Sequence, residues 1–378
     1  MKKFFFLYVL LFFSILSFPQ EIVKNGLLPQ HPNSDMGRVV NLKQVFSIKD
    51  NGEEYFFRSP FGLKVAPDGG VFIMDNKEFL QFDSKGNFIR NYFHYGLGPS
   101  EMTFPSGYQI YKDEIIFFNM SPNKLIWFDK NGNFKKEKRI SFNQDLEFLF
   151  SNGEIFIFKS QAPPIIKSDL SIIDTQEKFL SISSEGDVVK DRLYEYTSKV
   201  FVGRFSENNY SKINASPFLY CENDLNSIYF SNSQTYEINR FDVVTGKITM
   251  KIIRNYKRVK TSKEDEKFFI KGGIFFNGKM HRPPIQEYID DILGLFKVKS
   301  NLWVVTSTVN PEKGIQIDVI NEKGKFVDFF YLKLPEHISP YYLIKNEYVI
   351  QDGLFILIER DKDYNFSIVS YRIEMPKP

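Results

Sequence analysis

The sequence predicts an all-β chain built from six copies of one four-stranded antiparallel unit. Three observations point there. Aromatic residues are abundant, with 41 Phe and 20 Tyr among 378 residues, and such side chains suit a pleated, half-buried surface. A short phrase recurs six times: a small or polar pair, four mostly apolar residues, then a polar one. A second phrase of strand, glycine turn and strand follows it in five of the six copies.

The first phrase reads GGVFIMD (69–75), DEIIFFN (113–119), GEIFIFK (153–159), NSIYFSN (226–232), SNLWVVT (300–306) and GLFILIE (353–359). Each is a turn followed by a short, buried strand. The phrases end on Asp75, Asn119, Lys159, Asn232, Thr306 and Glu359 at irregular separations of 40 to 74 residues, the mark of insertions in one class of loop. The second phrase reads LQFDSKGNFIRNY (80–92), IWFDKNGNFKKEK (126–138), LSISSEGDVVKD (180–191), NRFDVVTGKITMK (239–251) and IDVINEKGKFVDF (317–329). Gly86, Gly132, Gly186, Gly246 and Gly324 sit where a hairpin needs positive φ. A further strand precedes the first phrase, as in FGLKVAPDGG (61–70) with its Pro-Asp-Gly turn. Four strands in about 40–50 residues are the content of one propeller blade. The expected fold is a single six-bladed β-propeller over 38–378. The sixth unit, Tyr341 to Met375, shows only three strands, and RVVNLKQVFSIKD (38–50) supplies the fourth. Closure by an N-terminal strand removes exposed sheet edges.

Residues 1–20 read as a signal peptide. Lys2 and Lys3 precede an apolar run from Phe4 to Phe18, shorter than the ~20 residues of a spanning helix. Phe18-Pro19-Gln20 is a poor cleavage site, so a retained anchor is the alternative, and membrane association is expected only in that case. Residues 21–37 form a lead-in. Export to the periplasm, the cell surface or the exterior is expected. Cys221 is the only cysteine, which excludes an intrachain disulfide and leaves stability to the core. Without Lys2 and Lys3 the chain carries 47 basic against 46 acidic residues. That balance gives no basic footprint for nucleic acid.

The blade phrase FD-x-x-G-x-F and the connector GLGPSE (96–101) resemble the six-bladed β-propellers of exported bacterial proteins, relatives of the NHL-repeat propellers. The resemblance spans 38–375. The family's connector usually reads G-x-G-P-G-E, and Ser100 here replaces its last glycine.

Strand alternation sorts the loops. The ends of strands two and four share a face, so the six polar end positions lie beside the inter-blade connectors. HYGLGPSEMTFP (94–105) is one connector; 193–217 and 255–288 are two long ones. Loops held by a rigid scaffold concentrate function. Candidate ligand-face residues are His94, Tyr95, Glu101, Tyr194, Tyr196, Arg204, Tyr256, Lys257, Arg258 and His281, with Phe201 and Tyr210 as further aromatic surface. Nine Lys/Arg between Lys247 and Lys271 either steer an anionic partner or form a solvated face. Ser262 with Asp265 or Glu266 suits a short helix start.

A nucleotide loop is excluded, because MTFPSGYQIYK after Gly98 reads as a bend and a strand, not a helix. The four histidines, His31, His94, His281 and His337, lack metal-ligand spacing. Resemblance to lactonase-like propellers implies a divalent cation such as Ca²⁺ held by Asp75, Asn119, Asn232 and Glu359, whose oxygens suit a hard ion. The same atoms also serve as turn acceptors. No G-x-S-x-G occurs. The leading expectation is an exported, monomeric, non-catalytic binding or scaffold module without cofactor, engaging a peptide, glycan or protein on the connector face. The alternative is a metal-assisted hydrolase or lyase at the channel mouth. Glu101 has two readings, as an acceptor for backbone donors in its own connector or as a ligand contact.

Overall fold

The computed structural model describes residues 20–32, 35–142, 146–161, 170–206, 209–214, 217–263, 266, 273–276, 278–344 and 347–375. The leader therefore lies outside the described residues. Two strands come first, β1 (Glu21–Asn25) and β2 (Val39–Lys49). A meander follows: β3 (Pro60–Val65), β4 (Val71–Asp75), β5 (Glu78–Phe82) and β6 (Phe88–Asn91). The second comprises β7 (Pro105–Tyr111), β8 (Glu114–Met120), β9 (Asn123–Asp129) and β10 (Phe134–Arg139). The third has β11 (Leu146–Ser151), β12 (Ile155–Gln161), β13 (Leu170–Ser183) and β14 (Val188–Ser206), with β15 (Asn209–Asn214) added. The fourth has β16 (Leu219–Asp224), β17 (Ser227–Ser231), β18 (Glu237–Asp242) and β19 (Lys247–Arg254). A small hairpin, β20 (Ile274–Phe276) and β21 (Lys279–His281), precedes the fifth: β22 (Ile292–Val298), β23 (Asn301–Asn310), β24 (Gly314–Ile320) and β25 (Phe326–Lys333). The last three strands are β26 (Tyr348–Gln351), β27 (Leu354–Arg360) and β28 (Phe366–Glu374).

Sheet order follows chain order in every meander. β2 supplies the fourth strand of the last one, antiparallel to β28 from Asn41↔Glu374 to Lys49↔Ser367. Its first residues also run parallel to β25, which joins the fifth and sixth meanders into one eight-stranded sheet. First strands of successive meanders lie against one another at β7 and β11, β16 and β22, β22 and β26, and β26 and β3.

Second and third strands are apolar on both faces because each sheet is covered on both sides. β4 is buried at all five positions. Phe79, fully buried, sits edge-on to Tyr108 at 4.5 Å and Phe117 at 4.4 Å, joining the first two meanders. The five hairpin glycines take φ between 70° and 90°. A Cβ on Gly186 would come within 2.2 Å of the Arg139 carbonyl oxygen, so side-chain and backbone constraints agree there.

Two segments differ from the sequence reading. Residues 193–217, expected as a loop, are mostly strand: β14 pairs with β13 from Leu170↔Gly203 to Phe179↔Tyr194, and β15 pairs with β14. The strand period is present, since Glu195, Thr197 and Lys199 are exposed while Tyr194, Tyr196 and Ser198 are half-buried. Its inward side carries Tyr and Ser rather than aliphatics, which weakens the signal. The lead-in also contains a strand, β1, parallel to β19. Asn25 fixes it, donating from Nδ2 to the Gly324 carbonyl at 2.9 Å and accepting the Phe326 N–H at 3.0 Å. In the 255–288 connector, Glu266 N–H donates to the Ser262 carbonyl at 3.1 Å, an i to i+4 bond; Glu264 and Asp265 lie outside the described residues.

Candidate functional site

The polar residues that end the second strands meet the connectors, as alternation requires. Asp75 accepts N–H donors from Arg58 at 2.5 Å and Ser59 at 2.9 Å. Asn119 accepts from Thr103 at 2.9 Å and Phe104 at 2.8 Å, and donates to the Pro122 carbonyl at 2.9 Å. Both side chains are buried and fasten the strand that follows the connector. Glu359 accepts the Tyr371 hydroxyl at 2.6 Å and lies 3.1 Å from His337 Nε2. Asn232 is exposed in a different setting, described below. Among the described residues, no group of three or more His, Cys, Asp and Glu side chains is placed to hold a metal ion.

In the 94–105 connector, Glu101 turns back on its own loop. Its carboxylate accepts the Gly98 N–H at 2.7 Å and fills the space where a Cβ on Gly96 would stand. Lys124, buried, donates to the Gly98 carbonyl at 3.0 Å and to Glu137 at 2.7 Å. Ser100, in place of the family's glycine, adopts φ 65°. His94 and Tyr95 are exposed, and Lys77 lies over the Tyr95 ring at 4.6 Å.

An open concavity lies elsewhere, between the extended β13–β14 ribbon and the segment 283–290. It is a cleft of about 350 Å³ walled by Ile172, Phe201, Pro283, Pro284, Ile285 and Leu293. A smaller polar pocket of about 140 Å³ adjoins it, and Lys199 and Gln234 line both. Tyr196 and Asn232, both candidates from the sequence, line the polar pocket, and Tyr194 stacks on Tyr196 at 6.1 Å. Beneath it, Glu177 is 3% exposed and accepts hydrogen bonds from Tyr196 Oη at 2.8 Å, from Gln161 Nε2 at 3.2 Å and from Ser198 Oγ. Lys159 stands 3.6 Å from Glu177 and 2.6 Å from Glu147, with its ammonium over the Phe218 ring. Burial, and then the Glu177 charge, push the Tyr196 phenol far above its ordinary value, so it stays a hydrogen-bond donor.

Other candidates brace the walls or stand apart. Arg258 donates to Asp291 at 2.9 Å and to the Gln234 carbonyl at 2.8 Å, and covers Tyr288. The Tyr256 hydroxyl lies 2.7 Å from Thr308 Oγ1 and 3.1 Å from Ser307 Oγ. Tyr194 packs on Phe179 and Phe230. Lys257 is exposed, and His281 is half-buried on β21 beside Phe276. Arg204 lies on β14, but its side chain, like that of Tyr210, is outside the described residues. Sequence reasoning missed Ile172 and the Pro283-Pro284-Ile285 run. That run was the available signal, two stiff residues leading an aliphatic one inside a connector.

A second polar group forms where first strands of different meanders meet. Gln109, 2% exposed, donates from Nε2 to the Ser151 carbonyl at 3.0 Å and to Glu222 at 3.0 Å. Glu347 accepts the Leu63 N–H at 2.8 Å, and the Lys64 charge acts on both glutamates. Burial raises the pKa of Glu222 and Glu347 and lowers that of Lys64. Desolvation by the surrounding protein shifts Glu222 towards its neutral form, and the Lys64 charge opposes the shift. A raised folded pKa gives stability that is complete below the unfolded value of about 4.5 and is lost as pH rises through the folded value. Glu222→Gln should therefore match the wild type in urea denaturation near pH 4 and gain on it at pH 7 and above. An equal difference at both pH values would refute the assignment. Cys221, on the same strand, has its thiol pushed up to about 12 by burial, which disfavours the thiolate at neutral pH.

No known family profile matches the chain, and no curated protein matches it in sequence. Similar folds exist among solved structures. A protein of Bacteroides fragilis described as exported aligns over 94% of this chain and 100% of its own, at 12% identity and TM-score 0.52. A member of the duf4221 family from Bacteroides vulgatus covers 90% of this chain and 99% of its own, at 10% identity and TM-score 0.49. Hsv2 of Kluyveromyces lactis covers 84% and 98%, at 10% identity and TM-score 0.38. The first likeness shows a shared all-β fold.

Proposed function

We propose that this chain is an exported, non-catalytic binding module whose six meanders are the blades of a propeller, with its ligand seated in the cleft on the connector face. Adjacency of successive first strands and the completion of the last meander by β2 support the blade arrangement. Export is supported by Lys2-Lys3 and the apolar run that follows them. The observation that carries the binding role is the cleft itself. Ile172 and Ile285 are 46% and 41% exposed, facing a concavity of about 350 Å³ rather than a flat surface. Concave apolar surface with a few convergent polar groups is the usual form of a ligand site.

The test is to probe arrays of immobilised oligosaccharides and of random peptides with labelled protein, then with Ile285→Asp. Specific retention by the wild type and at least tenfold weaker retention by the variant, with unchanged thermal unfolding, is the expected result. Silence of the wild type on both arrays, or retention that the substitution leaves unaltered, would overturn the reading.

A further inference from the structure

We infer that the polar pocket beside the cleft is a subsite for a single uncharged sugar residue of a saccharide. This rests on the connector-face reading and names the ligand class for it. Asp174 and Lys199 pair at 2.8 Å. Glu177 accepts from Tyr196, Ser198 and Gln161 and stands beside Lys159. Each charged group thus has an opposite partner, with Lys159 shared between Glu177 and Glu147, and the one surplus negative charge disfavours an anionic ligand.

Three carboxamides remain. The side chains of Asn214, Asn232 and Gln234 line the pocket, and among the described residues none has a hydrogen-bond partner. A carboxamide offers a donor and an acceptor side by side. Adjacent hydroxyls of a sugar ring do the same, each as donor and acceptor. A ligand rich in such pairs engages both the donor and the acceptor of each amide, whereas an ion engages only one of the two and an aliphatic group neither.

Two of the amides are held on a pinned turn. Ser233, between Asn232 and Gln234, is fully buried and adopts φ 61°. A non-glycine residue in that region carries strain that surrounding contacts must hold, and such residues cluster at ligand sites. The contacts are present: Ser233 N–H donates to Ser231 Oγ at 3.1 Å, and its carbonyl accepts the Ile292 N–H at 3.2 Å. Gln234 is fixed further by its N–H to the Asn232 carbonyl at 2.7 Å and by Arg258 on its own carbonyl. Asn214, at the end of β15, also lines the pocket. The pocket's volume is about 140 Å³, roughly ten times the ~10–15 Å³ needed for one water. Its continuity with the apolar cleft through Lys199 and Gln234 gives the next unit of the chain a place against Tyr288 and Pro284.

The experiment is titration calorimetry of the full chain with malto-, cello-, xylo- and chito-oligosaccharides, beside the peptides retained on the random array. At least one saccharide series should bind. Gln234→Ala and Asn232→Ala should each weaken it by roughly 2- to 12-fold, the worth of one hydrogen bond. Thermal unfolding should not move, because neither amide makes an internal bond. Binding of peptides with every saccharide silent would overturn the sugar assignment and leave the binding role standing. Silence of both would overturn both. Saccharide binding unchanged in the two variants would move the subsite elsewhere and refute this one.

Discussion

Asp318→Ala is expected to cost about 3–5 kcal/mol of folding stability, measured by urea denaturation near neutral pH. Asp318 is fully buried and accepts three hydrogen bonds: from Arg254 Nη1 at 2.6 Å, Tyr236 Oη at 2.8 Å and Gln316 Nε2 at 2.7 Å. Removing it leaves the Arg254 guanidinium, itself 5% exposed, as an unmatched charge in the interior. Aromatic rings surround that guanidinium, with Phe326 at 4.2 Å, Tyr236 at 5.3 Å and Tyr256 at 5.4 Å. Its second nitrogen donates to the Leu27 carbonyl at 3.0 Å. The network thus ties the fourth meander, the fifth and the lead-in together. Magnitude follows from the missing partner rather than from the pair's own worth, since a buried pair is costly to desolvate. The double variant Arg254→Met with Asp318→Leu should therefore recover most of the loss. A loss below about 1 kcal/mol in the single variant, or no recovery in the double, would refute this account.

The same network shows where sequence reading stops. Repeats were legible because each meander repeats a local pattern: apolar second strand, glycine turn at positive φ, third strand. Asp75 and Asn119 were legible as strand ends facing connectors, because alternation fixes the face. Arg254 and Asp318 were not, since they are 64 residues apart and no local pattern couples them. Within a basic stretch, Arg254 reads as one more solvated cation. The cleft divides the same way. Tyr196 and Phe201 stood out as aromatics in an insertion, although the insertion was read as loop. Ile172 did not stand out, because it reaches the cleft only through the long pairing of β13 with β14. Glu101 could be placed in its connector but not oriented. Its bond to the Gly98 N–H depends on loop dihedrals that spacing does not encode.

Closure of the sixth meander carries the second large expectation. A chain beginning at residue 51 lacks both β1 and β2 and should fail to show a cooperative unfolding transition. β2 buries Val40, at 0% exposure, in the core shared by the fifth and sixth meanders, and Ile48, at 2%, in the core shared by the sixth and the first. Its loss bares the β28 edge from Ser367 to Glu374, a row of unpaired backbone groups prone to association. It also removes the only segment paired to both β25 and β28 among the described strands. A deletion alone does not separate loss of a strand from loss of sequence in general, and the register supplies the control. Glu374, the last residue of β28, lies opposite Asn41 near the start of β2. A chain leaving β28 can therefore turn back into β2 as an ordinary hairpin. Moving residues 38–50 to the C-terminus of that chain through a short glycine-rich loop should restore a cooperative transition, at a midpoint below the wild type's because β1 and its Asn25 bonds are still missing. Such rearrangement is tolerated where chain ends meet at the surface. If the truncated chain unfolds at the wild-type midpoint, or the rearranged chain remains as disordered as the truncated one, β2 does not close the structure as its register indicates.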